Sequence, residues 1–235
     1  MRKYQLIPVL ALLLVVAPVR AATKVFLQDS TSPLATIATA GLGYGCDQNT
    51  QSTVFRQANT TQGSSAVTKT YTPSSTAPPC LWQTALAAGN QFLYWATAPL
   101  SATWTPSGNI NYQAGCAESS TSLNGGFRFK VMRWRAANGG IDPTPIDTSS
   151  TSTECAGANI AIAAAAPDST PAFAVGDRIV IIVETMNVGT WAGNNSRTIS
   201  LVYGAATGVY GDTFVNFVDT ITFASDTNNA RARVQ

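Results

Sequence analysis

The sequence predicts an all-β protein: a single antiparallel two-sheet β-sandwich, jelly-roll-like, of about ten strands. Short runs with apolar residues at every second position are separated by turns rich in glycine, proline and asparagine. No stretch sustains the 3.6-residue period of a long helix. The run Ile179 to Val183 is apolar on both of its faces, so it belongs in the middle of a packed sheet, covered on each side.

The first segment is not part of the fold. Arg2 and Lys3 precede the apolar stretch Leu6 to Val19, which only Pro8 and Pro18 interrupt, and Val19 and Ala21 supply small residues for cleavage before Ala22. Residues 1–21 read as a secretory signal peptide. The run is shorter than the roughly 20 residues a membrane span requires, and no other stretch is apolar enough to span. A secreted or cell-surface protein is therefore expected. Loss of Arg2, Lys3 and Arg20 lowers Lys+Arg from 14 to 11 against 12 Asp+Glu, a net charge of −1. This balance gives no reason to expect nucleic acid as a partner. Residues 22–235 read as one domain, with a polar C-terminal tail over 225–235.

Lys24 to Gln28 reads as a short strand near the new amino terminus. Gly41 to Cys46 is too glycine-rich for a strand. Thr53–Arg56 and Val67–Tyr71 are weaker strands around the polar tract Ala58–Ser65. Gln91–Ala96 is a clear strand. Ala102–Thr105 and Ile110–Gln113 flank the turn Pro106-Ser107-Gly108-Asn109, a hairpin signal. In Gly126–Arg135, Phe127, Phe129 and Val131 share one face; Arg128 and Lys130 lie opposite, suggesting a half-buried strand with a solvated basic face. Ile160–Ala164 is a further strand. The turn at Gly176-Asp177 precedes the central run. Phe173 to Ile179 resembles the turn-then-strand that jelly-roll carbohydrate-binding modules carry before a core strand. Thr198–Tyr203 and Thr213–Phe223 complete the set, with Asp219 breaking the apolar face of the last.

The four cysteines, Cys46, Cys80, Cys116 and Cys155, form no Cys-x-x-Cys pair, and the chain has no histidine. A Cys/His metal site is thereby excluded, and two disulfides are expected in an exported chain. Of the three possible connectivities, Cys46–Cys80 with Cys116–Cys155 needs no crossing. No metal and no cofactor are expected.

Without histidine there is no Ser-His-Asp or Cys-His arrangement. A two-carboxylate hydrolase needs a pair of acids flanking one bond; Glu118 and Glu154, beside Cys116 and Cys155, would approach each other if those cysteines are bonded. Glu184 closes the core strand and is expected to meet Arg178 or water. Trp104 and Trp191 fall in loops, and Trp191 lies near Asn194 and Asn195; exposed rings beside amides suit a glycan, whereas buried rings would only seal the fold. The basic residues Arg128, Lys130, Arg133 and Arg135 read as a solvent face. The expectation is thus a protein without catalysis, structural or adhesive, with carbohydrate binding as the alternative. Its partners would be other copies of itself or an extracellular glycan. Val25, Phe26 and Leu27 would serve assembly by leaving an edge position and pairing with a neighbouring subunit as a filament.

Overall fold

The computed structural model describes residues 21–31, 37–38, 52–53, 56–71, 94–120, 124–155, 157, 159–188, 198–205 and 212–225. Expectations that concern the leader up to residue 20, Cys46, Cys80, Trp191, Asn194, Asn195 and the tail beyond Ser225 lie outside these residues.

The described strands are β1 (Thr23–Thr31), β2 (Ile37–Ala38), β3 (Ser52–Thr53), β4 (Arg56–Asn59), β5 (Val67–Tyr71), β6 (Tyr94–Thr97) and β7 (Ile110–Glu118). They continue with β8 (Gly125–Arg135), β9 (Gly140–Ile141), β10 (Asp147–Thr148), β11 (Asn159–Ala165), β12 (Arg178–Asn187), β13 (Ile199–Tyr203) and β14 (Phe214–Phe217). There is no helix among the described residues. Twelve strands form one open, mixed sheet in the order β10-β8-β12-β6-β4-β1-β14-β7-β13-β5, with β9 added on β8 and β11 on β7; β2 and β3 pair separately. The all-β class matches the sequence reading. The hydrogen-bonded network differs from the purely antiparallel one expected, because β4 and β6 pair in parallel.

The centre is where the apolar run puts it. Ile179 to Val183 are each at most 2% exposed, and β12 is flanked by β8 on one side and β6 on the other. The preceding turn uses Gly176 at φ 92°, a conformation that glycine adopts without steric cost. Asp177 holds that turn by accepting the Ala174 and Ala136 amides, both at 3.0 Å. Rings from strands far apart in the ladder meet in the core: Tyr112 of β7 stacks on Phe129 of β8 at 5.3 Å, and Trp95 of β6 meets Tyr203 of β13 edge-on, also at 5.3 Å.

Three elements depart from expectation. Val25, Phe26 and Leu27 are not at an edge. β1 is hydrogen-bonded to β4 on one side and β14 on the other, with Val25 and Leu27 fully buried. Ala102–Thr105 does not form a hairpin with Ile110–Gln113; Trp104 instead bridges Phe173, while β7 pairs with β11, β13 and β14. The regular strand in Thr213–Phe223 stops at Phe217, because Asp219 turns inward to bind the 104–108 loop.

Candidate functional site

The parallel pairing of β4 and β6 runs from Arg56↔Trp95 to Ala58↔Thr97 and ends there. Beyond that point the two chains part, one through Asn59-Thr60, the other through Ala98-Pro99. A third segment closes the gap. Phe223 bridges Leu100, the Ala224 amide donates to the Pro99 carbonyl at 2.8 Å, and the Ser101 amide donates to the Thr222 carbonyl at 3.0 Å. An open pocket of about 280 Å³ lies in this wedge, walled chiefly by Gln57, Asn59, Thr60, Thr97, Phe223 and Ser225, with Val25 and Ala58 at its apolar floor. Among the described residues, no Asp, Glu, Lys or Arg lines it.

The wall is anchored from behind. Thr97 is 1% exposed; its hydroxyl accepts the Ile179 amide at 3.1 Å and its carbonyl accepts Arg178 Nη1 at 2.7 Å. Arg178, expected to meet Glu184, thus serves the pocket end of β12. Trp95 Nε1 donates to the Gln28 carbonyl at 3.0 Å, tying β6 to the far end of β1. Asn59 Oδ1 accepts the Thr61 amide at 3.3 Å, which holds the turn after β4. Nothing in the sequence marks this pocket. Its wall comes from segments remote from one another, and the polar residues there are neutral ones that read locally as turn residues.

The sequence-derived candidates lie elsewhere. Cys116 and Cys155 are bonded, with their Cα atoms 5.6 Å apart. Glu118 Oε2 accepts the Gly125 amide at 3.2 Å, and the Gly125 carbonyl accepts the Cys155 amide at 2.8 Å. Half-buried Glu118 and Glu154 therefore come to the same end of the fold, through Gly125 and the disulfide. This end is remote from the pocket. β12 runs from Ile179, at Thr97, to Asn187, paired with Gly125; eight residues of strand span about 26 Å. Acids at one end cannot act directly on a group held at the other.

Trp104 is 7% exposed and enclosed by Phe173 and Phe217, so it offers no open face for stacking a ligand. The expected solvated basic face is met only at Arg135, which is exposed. Lys130 is buried, and Glu184, 1% exposed, binds Arg128 Nη2 at 2.6 Å and Lys130 Nζ at 2.8 Å. Arg133 and Arg135 both reach Asp142. The second face of β8 and β12 is covered, so charge placed there is paired instead of hydrated. Among the described residues, no group of three or more Asp, Glu or Cys side chains is placed to hold a metal ion.

Two further acids are buried. Tyr112 donates its hydroxyl to Asp147 Oδ2, and burial first, with the Asp147 charge second, pushes the phenol far above its ordinary range. Burial also raises the Asp147 carboxyl. Burial likewise raises Asp212, whose Oδ1 accepts the Thr213 amide at 2.9 Å.

No family model and no curated protein matches the sequence. Solved structures similar to the chain are an aminopeptidase from a marine sediment Thaumarchaeota archaeon (12% identity, TM-score 0.40) and an α-amino acid ester hydrolase (11%, 0.41). A third is a CocE/NonD family hydrolase from Staphylococcus aureus (12%, 0.44). The matches cover 67%, 83% and 87% of this chain but 34%, 35% and 37% of those proteins, so the chain spans about a third of their length. All three are described as hydrolases. The expectation of a non-catalytic structural or adhesive protein, and its carbohydrate-binding alternative, are corrected on this finding.

Proposed function

We propose that the pocket between β4, β6 and residues 223–225 binds a neutral amide, such as a short uncharged peptide segment. One observation carries this reading: the pocket opens where a strand pairing ends, and its polar wall is made of carboxamides and hydroxyls, with no charged side chain among the described residues. Gln57 and Asn59 carry carboxamides, the group whose donors and acceptor complement an amide; the Asn59 oxygen also accepts the Thr61 amide. Phe223, Val25 and Ala58 supply an apolar surface for a small side chain. A charged ligand would lose hydration there without gaining a counter-charge. At about 280 Å³ the pocket suits a single residue or a small amide, just below the size of ordinary ligand clefts.

Two further readings accompany it. The single ladder is folded over into two facing layers, jelly-roll fashion; the Tyr112–Phe129 and Trp95–Tyr203 contacts between strands distant in the order support this. The chain is exported, and the Cys116–Cys155 bond is what an oxidising compartment permits.

The experiment is a titration, followed by heteronuclear NMR, with N-acetyl-alanine-amide and with acetate and ethylammonium as charged controls. Shifts of the Asn59, Thr60 and Ala98 amides that saturate with the neutral amide alone support the reading. An N59A/Q57A double variant that stays folded should weaken binding tenfold or more. Equal response to all three ligands, or none at these amides, would overturn it. Release of chromophore from an uncharged peptide anilide, measured on the same samples, reports whether the bound amide is also turned over.

A further inference from the structure

We propose that the strap from Ile146 to Cys155 is a pH-sensitive closure, locked when Asp147 carries a proton and loosened when it ionises. The strap runs along the outer edge of β8. The amides of Ile146, Ser149, Ser152 and Cys155 donate to the carbonyls of Val131, Phe129, Phe127 and Gly125 at 2.7–2.9 Å. It is also fastened to β7, at two points. One is covalent, Cys155 to Cys116. The other is the hydrogen bond from Tyr112 to Asp147. Tyr112 and Cys116 are four residues apart on β7 and so share a face, at most 2% exposed. One fastening responds to redox conditions and the other to protons.

Asp147 is fully buried, and its Oδ1 has no hydrogen-bond partner. The Tyr112 hydroxyl and the Asp168 backbone favour its charged form, but no cation faces it. β8 places Val131 in register with it, and Phe129 stacks on Tyr112. β11 sets Ile162 opposite Tyr112. From the loop before β12, Asp168 accepts the Thr148 amide at 2.9 Å, which brings a second negative charge. The nearest base in register, Lys130 opposite Thr148, belongs to the other face of β8 and is held by Glu184. An ionised Asp147 would therefore be desolvated, without a cation, beside another carboxylate.

Burial first, and then the Asp168 charge, raise the Asp147 carboxyl above its ordinary value of 3.8, against the lowering effects of the Tyr112 hydrogen bond and of a hydrogen bond from the Asp168 backbone. Linkage fixes the sign. A carboxyl raised in the closed form stabilises closure fully below its ordinary value, and that contribution is lost as pH rises through the raised value. Within that window closure weakens tenfold per pH unit for one proton. The disulfide keeps the Cys155 end in place, so the opening is confined to the Ile146–Ser152 end.

Hydrogen exchange of the oxidised protein from pH 4 to 8, corrected for intrinsic exchange, tests this. The Ile146 and Ser149 amides should lose protection by tenfold or more over the range, while the Cys155 amide keeps its own. D147N should hold nearly constant protection at Ile146 and Ser149. D168N keeps Asp147 and its Tyr112 bond but removes the neighbouring charge, so it should lose less protection than the wild type by pH 8. It remains informative where D147N fails to fold. Flat protection in the wild type, or variants with the wild-type profile, would overturn the proposal.

Discussion

The indole N–H of Trp104 donates to the carboxylate of Asp219 at 3.1 Å, across 115 residues of sequence. The same carboxylate accepts the Ser107 amide at 2.8 Å, the Ser107 hydroxyl at 2.7 Å and the Gly108 amide at 3.4 Å. One acid thus gathers the donors of a whole loop while Phe173 and Phe217 enclose the indole ring. Asp219→Ala leaves these donors without an acceptor, at about 1–3 kcal/mol for each one that water cannot reach. A loss of about 2–4 kcal/mol in urea unfolding is expected. Asp219→Asn keeps one acceptor oxygen and should cost less. Equal stability of D219A and wild type would show that water already satisfies the loop.

The same site gives an acid dependence of opposite sign to the strap. Burial pushes the Asp219 carboxyl up, but the hydrogen bonds from Ser107, Trp104 and Gly108 outweigh it and hold the group below its ordinary 3.8. A lowered carboxyl stabilises the fold above its ordinary value, and the contribution is lost as pH falls through the lowered one. The stability gap between wild type and D219N should be full at pH 5 and shrink below pH 3.8. A gap unchanged down to pH 2 would rule this out.

Glu184 sits between Arg128 and Lys130 on the covered face of β8 and β12. Glu184→Ala leaves buried positive charge uncompensated, which costs about 3–5 kcal/mol when one member of a buried pair is removed. Replacing all three by apolar residues of similar volume should cost less than E184A alone, since no charge is then stranded. Thermal melts of the single and triple variants check this ordering; a triple variant less stable than E184A would contradict it.

How far these features were legible depends on how local they are. β12 announces itself, because five consecutive apolar residues satisfy both faces of one strand. Phe127, Phe129 and Val131 of β8 were readable by their period of two, and all three are fully buried. The fate of Glu184 was partly legible as well: an acid on a strand covered on both sides must find a cation, and β8 carries the bases. Its partner was misassigned because register is not written in either strand alone; Glu184 stands opposite Arg128, while Arg178 stands opposite Trp134. β1 was misplaced for a similar reason. A short apolar run near a terminus looks like an edge, and nothing in residues 23–31 specifies that β4 and β14 flank it. The pocket and the Tyr112–Asp147 contact were not legible at all. Each joins segments far apart in the chain through residues that are unremarkable in place.

The last expectation concerns the Cys116–Cys155 bond, which closes a loop of 39 residues. A cross-link of that span restricts the unfolded chain by about 4 kcal/mol on the loop-entropy relation. The folded state needs little from it locally, because the strap keeps its amide bonds to β8 and Glu118 still accepts the Gly125 amide. The loss in C116A/C155A should therefore come mainly from the unfolded ensemble. The variant should keep the wild-type far-ultraviolet spectrum and ring-current shifts, yet unfold at lower denaturant, with stability reduced by about 2–4 kcal/mol. Its unfolded state, freed of the cross-link, should expose more surface and steepen the denaturant dependence. Unchanged stability would show that the strap and β7 already confine the unfolded chain without the bond. Loss of the native spectrum would show instead that the bond is needed to hold the strap against β7.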